Sequence, residues 1–363
     1  MAGTTKATQV SLNLVSADDL LQSLDGFDAV IDARSEDEYL LDHLPGAVNW
    51  PTLRNDERRE IGTIYKQVNP FEARKRGAAI AAHNIGAHIA REVIDKGRDW
   101  RPLAYCWRGG QRSGSLSLVL GQIGFKVSLV EGGYKAFRAA MLRDTERLAP
   151  LFDYRVVCGT TGSGKTRLLH ALSGCGAQVL DLEALACHRS SVLGAIPGQP
   201  QPSQKAFDTR IWDALRRFDP GRPLFVESES RKVGNVAVPV ALIDAMRRGT
   251  CLNLSLGDTE RVALLMEDYD FFVHDVDAFC SRLEALNEVR GKAVVQGWQQ
   301  QARAGHLDQV VLELLNRHYD PVYLQSMQRN FVHFDQARLL QPLNRSVNAM
   351  HALARELLGR RPL

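Results

Sequence analysis

Apolar residues along this chain fall into short runs separated by polar, helix-patterned segments, and the alternation predicts parallel sheets covered by helices. Ala29-Val30-Ile31-Asp32 is a short run ending in a polar residue; Ala33-Arg34-Ser35 turns the chain, and Glu36 to Leu41 carries a helical pattern. His43-Leu44-Pro45-Gly46-Ala47-Val48-Asn49 gives a Pro-Gly turn leading into another short strand. From Thr52 to about Lys96 the chain is charged and mostly helical in pattern. Arg101 to Cys106 reads as a buried strand, Ser113 to Leu120 as the start of a helix, and Phe125 to Val130 as one more strand closed by Glu131-Gly132-Gly133-Tyr134. In such sheets ligands gather at the carboxyl ends of strands, which is where Asp32, Cys106 and Glu131 would lie.

A second unit opens with Tyr154 to Cys158 as a strand and a helix from Arg167. Gln178 to Glu183 and Leu224 to Arg231 are strands ending in acidic residues. After about Asp258 the pattern is helical and amphipathic, with Leu264-Leu265, Phe271-Phe272, Leu283, Leu286, Val310-Val311-Leu312 and Leu314-Leu315 at roughly helical spacing. The expected organisation is therefore a first domain over 12–145, a second over 150–257 and a helical region over 258–363. The chain holds 363 residues, enough for each domain to bury a core of its own.

Composition adds little until it is localised. The formal net charge is +3, too small to identify a partner, but Arg54 to Arg112 holds thirteen Lys or Arg against seven Asp or Glu, a surplus able to follow a polyanion. A solvated face of mixed charge is the alternative. The six cysteines are scattered, with no Cys-x-x-Cys pair and no histidine at zinc spacing, which argues against a metal centre or a disulfide framework. The start, Met1 to Thr8, lacks an apolar targeting core and no stretch reaches membrane-spanning length, so a reduced, cytoplasmic protein with no membrane partner is expected.

Two loops carry candidate chemistry. Cys106 is followed by Trp107, Arg108, Gly109, Gly110, Gln111, Arg112 and Ser113, a Gly-rich turn whose inward N–H groups, with the two guanidinium groups, would favour a reactive thiolate facing a helix N-terminus. A buried thiol acting as a small hydrophobe is the other reading. Gly159, Thr160, Thr161, Gly162, Ser163, Gly164, Lys165 and Thr166 match G-x-x-x-x-G-K-[ST] with a strand before and a helix after, so backbone N–H groups would wrap a diphosphate, Lys165 would place a charge on it and Thr166 could hold Mg²⁺. Asp181, Glu227 and Glu229 are candidates to hold that ion through water. His188-Arg189-Ser190-Ser191 and Gln201-Pro202-Ser203-Gln204 lie in a Gly/Pro-rich loop able to cover a substrate. Aromatics of His318 to Tyr323, beside Arg317 and Arg329, are candidates to stack a base, with core packing as the commoner use.

The N-terminal residues are similar to a rhodanese domain: Asp32-Ala33-Arg34, Glu38, the His43 to Asn49 turn, the Cys106 loop and Glu131 to Tyr134. Arg112 stands six positions after Cys106, one more than the usual sulfurtransferase spacing and like the cysteine phosphatases, although Tyr105 replaces the histidine those enzymes place before the cysteine. Joined to a P-loop, the chain resembles the tRNA 2-selenouridine synthase family through Gly62 to Gln67, Tyr105 to Ser113, Glu131 to Lys135, the P-loop, His188-Arg189, Glu227 to Arg231 and His318 to Pro321. Ser190 departs from the glycine expected after His-Arg. The resemblance implies an α/β fold: a rhodanese-like parallel-sheet domain, then a P-loop NTPase-like domain, then a helical region in contact with tRNA. It implies S-geranylation of a wobble 2-thiouridine by geranyl diphosphate, then replacement of the S-geranyl group by selenium from selenophosphate, carried on Cys106. Asp181, His188, Arg189, Glu227, Glu229 and Arg231 are expected around the diphosphate, and an enzyme that makes selenophosphate is an expected partner. An ATP-assisted sulfurtransferase acting on tRNA is the alternative reading.

Overall fold

The computed structural model describes residues 12–189, 191 and 193–359. The polar start Met1 to Thr8, Ser190 and the Arg360-Arg361 pair lie outside the described residues. Contacts divide the chain into two units, one running to Asp144 and including Asp208–Asp213, the other comprising Thr145–Phe207 and the residues from Ala214 onward.

In the first unit, strands β1 (Asn13–Val15), β2 (Ala29–Asp32), β3 (Ala47–Asn49), β4 (Pro102–Tyr105) and β5 (Ser128–Val130) form a parallel sheet in the order β1-β5-β4-β2-β3. Strands β4 and β5 are buried along their whole length, which is why they read as continuous apolar runs rather than as alternation. Asp32 pairs in register with Tyr105, so β2 and β4 end together at the edge where the Cys106 loop begins. Ile31, Ala104, Leu116, Leu120, Leu129, Trp50 and Trp100 share one core. The strand expected from Phe125 starts only at Ser128, because Gly124 ends the preceding helix at φ +116° and the chain needs three residues to return to the sheet.

The charged stretch after Thr52 folds into a hairpin of two helices, Asn55–Gln67 and Pro70–Glu92. Asn69 breaks them apart: its side chain accepts a hydrogen bond from the Glu72 N–H at 2.8 Å, and Pro70 takes the first helical turn, where no N–H partner is needed. The second helix is anchored by the Asn84 amide donating to the Thr52 carbonyl and by His88 against the Pro51 carbonyl. No residue of the first helix is buried.

The second unit is built on β6 (Tyr154–Cys158), β7 (Gln178–Leu180), β8 (Leu224–Glu227), β9 (Lys232–Val233), β10 (Val236–Ala237), β11 (Thr250–Leu254) and β12 (Arg338–Leu340). Five of these make a parallel sheet in the order β12-β11-β6-β8-β7, and β9 with β10 is a small antiparallel ribbon. The boundary expected at 257/258 does not divide this fold. Strand β12 extends the same sheet, and Met350, Ala354 and Leu357 of the helix Val347–Gly359 pack with Leu168, Leu169 and Leu172 of the helix Lys165–Gly174. The intervening helices carry their own apolar core, in which Phe272, Leu283, Leu286, Val310 and Leu314, whose helical spacing stands out in the sequence, are joined by Phe279 and Trp298. No helix among the described residues is long and apolar enough to cross a membrane.

Candidate active site

Cys106 follows β4 directly, and its Sγ accepts hydrogen bonds from the Gly110 N–H at 3.2 Å and from the Ser113 hydroxyl at 3.1 Å. Gln111 and Arg112 open the helix Gln111–Ile123, so the sulfur faces the N-terminal turn of that helix. The loop is held by main-chain bonds on its other side: Tyr134 N–H donates to the Cys106 carbonyl at 2.8 Å and Lys135 N–H to the Trp107 carbonyl at 3.1 Å. That close approach explains Glu131-Gly132-Gly133-Tyr134. A Cβ on Gly133, which sits at φ +61°, would collide with the Cys106 carbonyl and the Gly109 N–H, and one on Gly109 would reach 2.8 Å from the Val130 carbonyl.

The two guanidinium groups expected in the cradle go elsewhere. Arg112 donates to Glu38 Oε2 at 2.7 Å, and Arg58 reaches the same carboxylate at 3.2 Å. Burial works against the charged form of Glu38, but the Arg112 hydrogen bond and the charges of Arg112 and Arg58 hold its carboxyl below the usual range. Arg108 is exposed and forms no ion pair among the described residues. The groups contacting the sulfur are thus a backbone amide and a serine hydroxyl. Asp32 is structural: it is buried, pairs with Arg34 at 2.6 Å and accepts from the Tyr105 hydroxyl at 2.7 Å. Glu131 is exposed.

In the second unit β6 runs into the phosphate loop and the helix Lys165–Gly174 leaves it. Gly159, Gly162 and Gly164 all have positive φ, the conformations that turn successive N–H groups inward. The Lys165 ammonium donates to the Gly159 carbonyl at 2.9 Å and stands 5.4 Å from the centre of the Tyr323 ring. Tyr323 is a residue that the sequence motif does not reveal. Its hydroxyl accepts from the Gly159 N–H at 2.7 Å and bonds the Ser228 hydroxyl at 2.6 Å; burial pushes its acidity far from the physiological range, so it remains a neutral phenol. Three residues before it, Asp320 holds Arg261 at 2.6 Å, and Arg261 donates to the Thr161 carbonyl at 2.8 and 3.0 Å, bracing the loop from behind. His318 takes no part in these hydrogen bonds and accepts from Arg290 at 2.9 Å.

The Thr166 hydroxyl donates to Glu227 at 2.6 Å, with Glu183 at 3.4 Å. Glu183, Glu227 and Glu229 bring carboxylate oxygens within 4.8 Å of one another, a donor set of hard oxygens that fits Mg²⁺. Burial first, and then the Glu183 charge, push the Glu227 carboxyl well above the usual range. Asp181, the expected member of this group, is used differently. Its side chain caps the helix Leu182–Ala186 by accepting from the Ala184 N–H at 2.8 Å, and Glu183, two residues on, takes the place beside Thr166.

A cleft of about 1990 Å³ opens over these residues. His188 and Arg189 line it: His188 is buried and desolvation pulls its imidazole toward the neutral form, while Arg189 lies 4.5 Å from the Tyr269 ring centre and donates to the Asp268 carbonyl. Gln201, in the covering loop, is pinned by donating to the Ala186 and Val233 carbonyls and accepting from Asn235 N–H. Arg231 is exposed and stands outside the cleft lining. A smaller apolar recess, about 60 Å³, shares Thr161, Leu265 and Tyr269 with the cleft and continues between Phe272, Val311 and Leu314.

A cysteine ringed by hydrogen-bond donors at the end of a parallel-sheet strand, and a phosphate loop on a second parallel sheet, define a rhodanese-type module joined to a P-loop module. Comparison bears this out: residues 16–140 match the rhodanese-like domain model and residues 152–281 match the model of the tRNA 2-selenouridine synthase AAA domain. The chain is 34% identical over 259 residues to the tRNA 2-selenouridine synthase of Nitrosomonas europaea, covering 70% of this chain and 67% of that protein. It is 30% identical to that of Shewanella denitrificans, covering 81% and 87%, and 31% identical to that of Aeromonas salmonicida, covering 82% and 87%. The chain belongs to the tRNA 2-selenouridine synthase family.

Proposed function

We propose that this protein converts 2-thiouridine at the wobble position of tRNA into 2-selenouridine, with geranyl diphosphate and selenophosphate as co-substrates. The observation that carries the reading is the pairing of two unlike sites in one chain of this family: a thiol held by hydrogen-bond donors, and a diphosphate cradle with an apolar recess beside it. A thiocarbonyl sulfur is a poor leaving group. When it attacks C1 of geranyl diphosphate, the carbon–oxygen bond breaks, diphosphate departs and the uracil N3 proton is lost. C2 of the S-geranyl uracil is then open to a soft selenium nucleophile: selenophosphate held at the Cys106 loop attacks C2 through selenium, the C2–S bond breaks and geranylthiol leaves, and water then cleaves the Se–P bond, releasing inorganic phosphate and returning a proton to N3.

The chain's own groups fit these tasks. The N–H groups of Gly162 and of residues 164–166, with the Lys165 ammonium, hold the departing diphosphate. A Mg²⁺ ion held by Thr166, Glu183, Glu227 and Glu229 would supply further neutralising charge to that leaving group. The apolar recess of about 60 Å³ continuing from Thr161 has room for the first carbons of an apolar chain carried by the diphosphate. An enzyme that produces selenophosphate is the partner that the second step requires.

The test is nucleoside mass spectrometry of tRNA incubated with the protein: thiolated tRNA with selenophosphate plus geranyl diphosphate, and tRNA bearing an unthiolated wobble uridine with thiosulfate plus ATP. Turnover with the second pair alone would replace the proposal by the sulfurtransferase reading. Cys106→Ala is expected to abolish selenium incorporation while geranylated nucleoside still forms, and Lys165→Ala to remove geranylation through weakened diphosphate binding. Equal loss of both steps in Cys106→Ala would contradict the division of labour.

A further inference from the structure

The tip of the helical hairpin in the first unit presents a surface that the fold does not need. Tyr65, Val68 and Phe71 flank the turn and are 57%, 64% and 61% exposed. The helix Asn55–Gln67 that brings Tyr65 there buries none of its residues. Between Ile61 and Arg91 the chain carries five Lys or Arg and a single acidic residue, Glu72. Lys75 pairs with Glu72 at 2.6 Å and stands 5.1 Å from the Phe71 ring centre, whereas Lys66, Arg74 and Arg76 are exposed and form no ion pair among the described residues. Unpaired cations interleaved with exposed aromatic faces are the combination that grips a nucleic-acid strand, phosphates on the charges and unpaired bases on the rings.

Gly62 points the same way. A glycine inside a helix costs about 1 kcal/mol relative to alanine, and packing is the usual reason to keep one. Here a Cβ on Gly62 would meet nothing within 4 Å. Gly77, across the hairpin, differs: a Cβ there would touch Ile61 at 3.5 Å, as expected where two helices cross. The backbone at Gly62 is bare without an internal cause, which suits close approach by an external ligand. The Asn69 cap and the Ile61–Gly77 contact keep the tip in one geometry, so little ordering is lost when a partner docks.

We propose that this hairpin tip, centred on Gly62, Tyr65, Lys66, Phe71, Arg74 and Arg76, is the surface on which the first unit docks RNA. The inference rests on the tRNA reading above and adds to it the place of contact. The backbone meets Lys66, Arg74 and Arg76; an unpaired base stacks on Tyr65.

The experiment titrates the full-length protein with fluorescently labelled tRNA bearing a wobble 2-thiouridine at several salt concentrations, and measures inorganic pyrophosphate binding in parallel. The Lys66→Ala/Arg74→Ala/Arg76→Ala variant is expected to lose about tenfold or more in tRNA affinity, with the log–log salt slope reduced by about 2 to 3. Tyr65→Ala is expected to lose about tenfold with the slope unchanged. Gly62→Ala should raise the melting temperature yet weaken tRNA binding, a combination that a purely structural glycine cannot give. Pyrophosphate affinity should stay at the unsubstituted level in all of them. Unchanged tRNA affinity and slope in the triple variant would overturn the docking surface and leave the proposed function standing. Failure of the unsubstituted protein to bind tRNA would overturn both.

Discussion

Burial and the adjacent Glu183 charge raise the Glu227 carboxyl above the ordinary carboxylate range, so the folded protein holds that proton more tightly than the unfolded chain does. Its contribution to stability is therefore fully present below the unfolded-state pKa and is lost as pH rises through the raised folded value. Glu227→Gln, which keeps the size and a hydrogen-bond acceptor for Thr166 while removing the charge, should raise the melting temperature at neutral pH in the absence of divalent metal. It should also flatten the melting temperature against pH, and remove stabilisation by added Mg²⁺. A melting temperature that falls at every pH would refute this. At this scale the sequence shows which residue types are present but not their partners. Asp181 and Glu183 are both acids just beyond an apolar run, and only the backbone decides that the first caps a helix and the second turns toward Thr166. Arg112 likewise looks aimed at the thiol until Glu38, far away in sequence, claims it.

Elements were legible where one physical cue dominated. The phosphate loop combines an apolar strand, three glycines at positive φ and a helix start, and it sits where the motif predicts. Strands β2 and β4 were readable because burial on both faces writes an apolar run. Strands β1 and β12 were not: each has only three residues, mostly exposed or half-buried, and leaves no run to read. The charged stretch after Thr52 showed its helicity but hid its break, although Asn69-Pro70 is a cap followed by a first-turn proline. Asn69→Ala should cost about 1 kcal/mol in urea unfolding through loss of the bond to the Glu72 N–H. An unchanged midpoint would mean the hairpin is held by its crossing rather than by its cap.

Across the whole molecule, the second unit is assembled from segments distant in sequence. Gly164 of the phosphate loop lies against Met350, whose Cε would be 2.6 Å from a Cβ placed on that glycine, and Met350 itself is fully buried. Met350→Ala should cost about 2–5 kcal/mol and weaken pyrophosphate binding, read by calorimetry, while leaving the reactivity of Cys106 toward a thiol reagent unchanged. Loss of the thiol's reactivity to the same degree would show that the cavity is felt beyond the second unit. The placement of β12 has a consequence for how the protein comes into being. The ribosome makes residues 159–166 long before residues 338–359, so during translation the phosphate loop waits without its outermost strand and without the helix that underlies it. A transcript cut short before Arg338 would yield a polypeptide with every residue of the P-loop motif and no finished sheet to hold it in shape.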